Sequence, residues 1–176
     1  MAEKKPVQFV RLIEELVAHR VDFIVVGGVA AVIEGAPVST FDLDVLVRFE
    51  PDNLERLVAA LDDLDTTYVD PAGRVIRPAV ERFGTDGQHL FRTRHGRLDV
   101  LSSIGNGSRY EDLIDHTNLR LVAGSNITVL ELQETIRSKE EANRPKDRAV
   151  LEILRRTLAE QRRRSPSPVS GGNGSD

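Results

Sequence analysis

The 176-residue chain has no cysteine, no tryptophan, a single methionine and few aromatic residues. Without cysteine it has neither disulfides nor thiolate ligands for a metal, which fits an intracellular protein. No run approaches the roughly 18 apolar residues of a membrane helix, and "MAEKKPVQFVRLIEEL" lacks the continuous apolar segment of a secretory leader. A cytoplasmic protein that does not enter a membrane is the expectation. His19, His89, His95 and His116 show no ligand-like spacing. A formal charge of -4 argues against a chain that coats nucleic acid nonspecifically, while leaving room for a local basic patch. Three motifs are also missing: Gly-x-Gly-x-x-Gly, the Gly-Lys-Ser/Thr of a P-loop, and the Gly-x-Ser-x-Gly nucleophile elbow. A dinucleotide-dependent oxidoreductase is further disfavoured because Asp42 follows Gly28 by only 14 positions.

What is present, at 40% apolar composition, can bury one substantial core. Residues 7–19 carry apolar side chains at helical spacing. "VDFIVV" is a short β-rich run that ends at Gly27 and Gly28, and "VAAVIEGA" continues as helix. Residues 40–49 form a second strand, and Pro51 with Asp52 opens a helix through about Leu64. Between residues 66 and 104, short runs punctuated by "PAG", "TDG" and "RHG" predict hairpins with strands near Val75, Val80, Leu90 and Leu98 to Leu101. "RYEDLIDH" is a short helix and "LRLVAGSNITVL" two small strands. Helices then cover 130–142 and, from a cap at Asn143 or Arg144 with Pro145 at the first position, the stretch to 164. The expected organisation is one α/β (α+β) domain over 1–164. It has a mixed sheet flanked by helices in a core of about 20–104 and a helical C-terminal portion at about 109–164. Residues 165–176, "SPSPVSGGNGSD", are too poor in apolar groups to offset their ordering entropy and are expected to be a disordered tail.

The chemistry is concentrated in "TFDLDVLV". In a strand, alternate side chains share a face, so Phe41, Leu43, Val45 and Val47 are expected in the core while Asp42 and Asp44 project together on the other side. Two ionised carboxylates ~4 Å apart repel by roughly 4 kcal/mol at an effective dielectric near 20. Such a pair calls for water, a proton or a cation, and a divalent ion is the strongest remedy. Asp99, in the apolar run "RLDVL", is anomalous for the same reason. On a strand beside the first pair it completes a trio able to hold two ions, acting as the second-ion ligand or as general base. Gly27 and Gly28 lack Cβ, so backbone amides there can approach an anion at a helix start.

In order and context, "VVGG", "TFDLDVLV" and "RLDVL" resemble the nucleotidyltransferase superfamily related to DNA polymerase β. Lys139 and the "RPKD" of Arg144 to Asp147 look closest to the bacterial group that includes the nucleotidyltransferase toxins of abortive-infection and toxin–antitoxin systems. The resemblance covers roughly residues 20–155. It implies a nucleotidyltransferase fold, NTP as substrate and Mg2+ as cofactor. Asp42, Asp44 and Asp99 would be catalytic and metal-binding, and Gly27 and Gly28 the phosphate loop. Lys139, Arg144 and Lys146 would neutralise the triphosphate, while Thr40, in the turn before the strand and independently of the resemblance, is a candidate phosphate contact that a turn would also explain. The implied acceptor is tRNA, a protein or a small molecule, and a cognate antitoxin is an implied partner. A non-catalytic nucleotide-binding regulator or antitoxin-like partner of the same fold is the alternative from a different class. Relatives often carry another Asp three positions after the Arg-x-Lys-Asp acid, where this chain has Val150. Asp147 is therefore read as a helix-start residue favoured by the helix dipole.

Overall fold

A computed structural model describes residues 8–84 and 87–164. Val7 of the first expected helix, Thr85 and Asp86 of the "TDG" turn, and the expected tail 165–176 lie outside the described residues.

The apolar spacing of the first segment produces α1 (Phe9–Ala18), which turns Leu12, Ile13 and Leu16 inward. Arg20, at φ 55, redirects the chain into β1 (Phe23–Val26), a strand buried at every position. Next come α2 (Gly27–Ile33), β2 (Asp42–Val47) and α3 (Pro51–Asp63), the last with proline where its missing N–H leaves no bond unmade. β3 (Thr67–Tyr68), β4 (Gln88–Thr93), β5 (Gly96–Leu101), the short α4 (Tyr110–Leu113), β6 (Thr117–Val122) and β7 (Ser125–Leu130) follow. α5 (Leu132–Ala142) stops where Asn143 adopts the left-handed conformation, and α6 (Pro145–Arg164) starts two residues later.

The seven strands form one mixed sheet in the order β3-β4-β5-β2-β1-β7-β6. β2 runs parallel to β5 and β1 parallel to β7, and the other pairs are antiparallel. One face carries the main core, in which Phe23, Val25, Leu43, Val45, Phe91, Leu98 and Val100 pack under Leu12 and Leu16 of α1 and Leu54, Leu57 and Leu61 of α3. Each such side chain contributes about 1.5–3 kcal/mol by leaving water. Asn53, fully buried, ties α3 to the strands: it accepts from the Asp22 N–H and donates to the Asp22 and Arg48 carbonyls. The opposite face has a smaller apolar patch, Ile24, Val26 and Leu46 with Leu113 and Leu130. A third cluster joins α2, α5 and α6 through Ala31, Leu132, Ile136, Leu151 and Leu154. No helix among the described residues is long and apolar enough to cross a membrane.

Two expectations from the sequence are corrected. The strands near Val75 and Val80 do not form: Val75 is 78% exposed in an irregular segment, and Val80 opens a 3-10 turn (Val80–Arg82). Pro78 between them has no N–H to give a ladder, and the segment is held instead by local bonds such as Tyr68 N–H to the Ile76 carbonyl. Phe41, expected in the core, is 73% exposed, because β2 begins at Asp42 and the two-residue alternation holds only within the ladder.

Candidate active site

The sheet register brings the acids together. Asp44 on β2 lies opposite Asp99 on β5 and opposite Val26 on β1, and Asp42 lies one pleat away on the same face. One carboxylate oxygen from each of Asp42, Asp44 and Asp99 lies within 4.8 Å of the other two. All three are on the side away from α1 and α3, where charge does not enter the main core.

Gly27 is required here for a reason the sequence did not reveal. Its φ of +66 is one that side chains disfavour, and a Cβ at this position would overlap Asp44 Oδ2. A Cβ on Gly28 would stand 2.7 Å from Thr40 Oγ1. Thr40 in turn donates to the Asp42 carbonyl (3.1 Å) and approaches Asp42 Oδ1 (3.3 Å). The glycine pair thus makes room for the carboxylate strand as well as for a ligand.

Burial, then the charges of Asp42 and Asp99, push the Asp44 pKa up to about 7, against the opposing pull of Lys139 and Lys146. Asp99 is raised as well, by burial first and Asp42 second, with Arg97, Gln88 and Lys146 opposing. Gln88 Nε2 donates to Asp99 Oδ2 at 3.4 Å, while the buried Asp99 Oδ1 has no hydrogen-bond partner. Three convergent hard oxygen donors, mutual repulsion and an orphaned carboxylate oxygen all fit a divalent cation of the magnesium type.

The acids open onto a cleft of about 620 Å³ whose other walls come from α2, α5 and α6. The structure places Gly27, Gly28, Thr40, Asp42, Asp44, Asp99, Lys139, Arg144 and Lys146 around this cleft. Asp147, read from the sequence as a helix-dipole residue, is different. It is fully buried in the cleft wall, where it accepts from Arg144 Nε at 2.6 Å and Lys139 Nζ at 3.2 Å. Burial would raise its pKa, but these bonds and the two positive charges outweigh it and hold the carboxyl below its ordinary range. Lys139 and Arg144 are therefore anchored side chains. The left-handed bend at Asn143 folds α6 back onto α5 and makes this contact. A second group also escaped sequence reading: His19 Nε2, at the end of α1, lies 3.2 Å from Glu15 of that helix and 2.8 Å from Asp63 on α3, in a partly exposed cluster.

No protein-family model matches this sequence, and no curated protein matches it. Solved structures do. A lincosamide antibiotic adenylyltransferase, LnuA, with lincomycin bound, superposes with a TM-score of 0.57 at 12% identity, over 86% of this chain and 98% of that one. A protein of Thermotoga maritima assigned as a nucleotidyltransferase gives 0.53 at 14% identity, over 86% and 91%. The antibiotic-resistance factor ANT(2'')-Ia gives 0.51 at 12% identity, over 89% and 92%. At such identities the likeness establishes architecture alone. The chain, with its mixed sheet, flanking helices and C-terminal helix pair, has the nucleotidyltransferase fold.

Proposed function

We propose that the protein transfers a nucleoside monophosphate from an NTP to an acceptor hydroxyl and releases pyrophosphate, with Mg2+ as cofactor. The observation that carries this reading is the Asp42, Asp44 and Asp99 cluster beside the Gly27 bend, facing a cleft in the size range of small-ligand sites. Asp42 and Asp44 would hold the metal, with Asp99 beside them. When bound, magnesium neutralises phosphate charge and acidifies an attacking hydroxyl.

The protein's own groups account for the rest. Asp99, with Oδ1 unpartnered, takes the proton of the acceptor hydroxyl as its oxygen bonds to the α-phosphorus. The bond from the α-phosphorus to the bridging oxygen breaks, and pyrophosphate departs. Lys139, Arg144 and Lys146 offset the negative charge of the triphosphate and of the leaving group. Asp147 holds the first two of these in place, and such fixed placement lowers the reorganisation needed during reaction. Gly27 and Gly28, at the start of α2, line the same cleft, where backbone N–H groups of a helix start suit an anion.

Two observations bear on the acceptor. The likeness to a lincomycin-bound adenylyltransferase favours a small molecule. The Lys139 and Arg-Pro-Lys-Asp segment, which resembles the toxin group, favours tRNA or a protein, with an antitoxin as partner. A regulator that binds NTP without turnover would share the same cleft.

Incubation with each α-labelled NTP, magnesium and cell RNA or lysate tests the reading. Transfer of label with pyrophosphate release is expected, and Asp44→Asn should lower it at least ~1000-fold, the scale of losing a key charge-stabilising group, while the circular dichroism spectrum is unchanged. Transfer retained by Asp44→Asn refutes the assignment. Magnesium-dependent NTP binding in calorimetry without any pyrophosphate release supports the regulator instead.

A further inference from the structure

The face that bears the acids continues past them, across β5 onto β4. Arg97 lies opposite Asp42 on one side and opposite Arg92 on the other, so Arg92, Arg97 and Asp42 form one row across three strands. The next row is Leu90, Asp99 and Asp44. Gln88, Arg92 and Arg97 are exposed. The α1 and α3 layer covers the other face, and the Leu113 cluster sits over Ile24, Val26 and Leu46 and reaches Leu101 at the end of β5, leaving the wing open around Arg92 and Arg97.

Like charges directly opposite in an antiparallel ladder repel, with Cβ atoms roughly 5 Å apart. Neither Arg92 nor Arg97 has a hydrogen-bonded carboxylate among the described residues, and the field of Arg97 acts on Asp99. Two adjacent guanidiniums call for an anion as two adjacent carboxylates call for a cation. A guanidinium holds a phosphate through paired N–H bonds. Arg97 stands one strand away from Asp42 and Arg92 two. At the cleft mouth, Phe41 exposes 73% of its surface directly before Asp42, and a base can stack on such a ring. A cationic acceptor would be repelled by this surface, and a neutral one has no use for it. An anionic acceptor, in contrast, must approach a site already holding a triphosphate, and the arginines offset that repulsion.

We infer that the open face of Gln88, Arg92 and Arg97 is the acceptor platform, and that the acceptor is a single-stranded nucleic acid. Its phosphate seats on Arg92 and Arg97, its end base on Phe41, and its terminal hydroxyl reaches Asp99. The role as acceptor rests on the nucleotidyl-transfer reading, whereas strand binding can be measured without turnover.

The test is fluorescence anisotropy of a labelled single-stranded oligoribonucleotide of about 12 nucleotides, using the full chain with magnesium. Wild type is compared with Arg92→Glu and with Arg156→Glu, an equal charge change at an exposed position of α6. Thermal midpoints serve as the fold control. Arg92→Glu should weaken binding at least tenfold at about 50 mM salt and lower the slope of log affinity against log salt by about one, while Arg156→Glu stays within about twofold. Equal weakening by both variants, or no binding by wild type, overturns the inference. Displacement of the strand by inorganic phosphate at matching concentration would assign the site to a phosphorylated small molecule, and label entering lysate protein rather than RNA would assign a protein acceptor. Either result rejects the nucleic-acid assignment. Intact strand binding with no transfer from any NTP counts against the proposed reaction and leaves the platform standing.

Discussion

Asp147 is fully buried yet held below the ordinary carboxylate range, whereas Asp44, which keeps some solvent contact, is pushed up to about 7. The two line the same cleft. Depth therefore does not decide their charge. Asp147 has Lys139 and Arg144 in direct contact, while Asp44 has Asp42 and Asp99 beside it, and their charges act on it more strongly than those of Lys139 and Lys146. One environment is internally complete, and the other is complete only with something added. The first behaves as structure, and the second suits the proposed metal site.

The contrast breaks most severely at Asp147. Asp147→Ala leaves the largely buried Lys139 without its partner and should cost about 3 kcal/mol. Thermal denaturation would show a fall of roughly 10 °C. A shift near zero would mean that the pair balances its own desolvation and that Asp147 is not the anchor described.

The pH dependence sharpens the other half. Asp44 titrates near 7 in the folded chain against 3.8 for an ordinary aspartate, so the metal-free fold holds a proton that the unfolded chain has released. Its contribution to stability is complete below pH 4 and is lost as pH climbs through 7. Between pH 5 and 8 the wild type in chelator should lose about 2 kcal/mol that Asp44→Asn keeps. Magnesium should stabilise the wild type more at pH 8 than at pH 5, because at the lower pH it must displace the proton. Parallel melting curves for the two proteins across that range would contradict the assignment.

The smallest effect on stability is expected at the bend. Gly27→Ala forces a left-handed alanine, at about 1–2 kcal/mol, and crowds Asp44 Oδ2. Magnesium binding by calorimetry should suffer more than the melting temperature, since the displaced atom belongs to the proposed metal site. Equal magnesium affinity in the variant would show that the carboxylate has another place to go.

Much of this was legible in the sequence, and the limits have physical causes. The alternation of Asp42, Leu43, Asp44 and Val45, the glycine pair after a β-rich run and proline at the start of α3 are local signals, and each placed its element. The 69–82 segment misled because short apolar runs between glycine and proline look alike whether or not a strand lies beside them to pair with. Phe41 misled because alternation was extended one residue beyond the ladder. The Asp147 ion pair was out of reach because it depends on α6 folding back onto α5, a tertiary fact. The Arg92 and Arg97 pair could have been anticipated from the hairpin register, once the "RHG" turn was placed between them.

The Val26, Asp44 and Asp99 alignment has a consequence for how the chain avoids wrong structures. Side chains alternate along a strand, so sliding β5 by a single residue against β2 would drive Asp99 into the Leu43 and Val45 layer and bring Leu98 or Val100 out beside Asp44. Such a mispaired sheet would carry an unsolvated charge at its centre and would be heavily penalised. The acids thus act as a built-in proofreader of strand assembly, and a chain that has passed that check has, by the same act, brought its three carboxylates together.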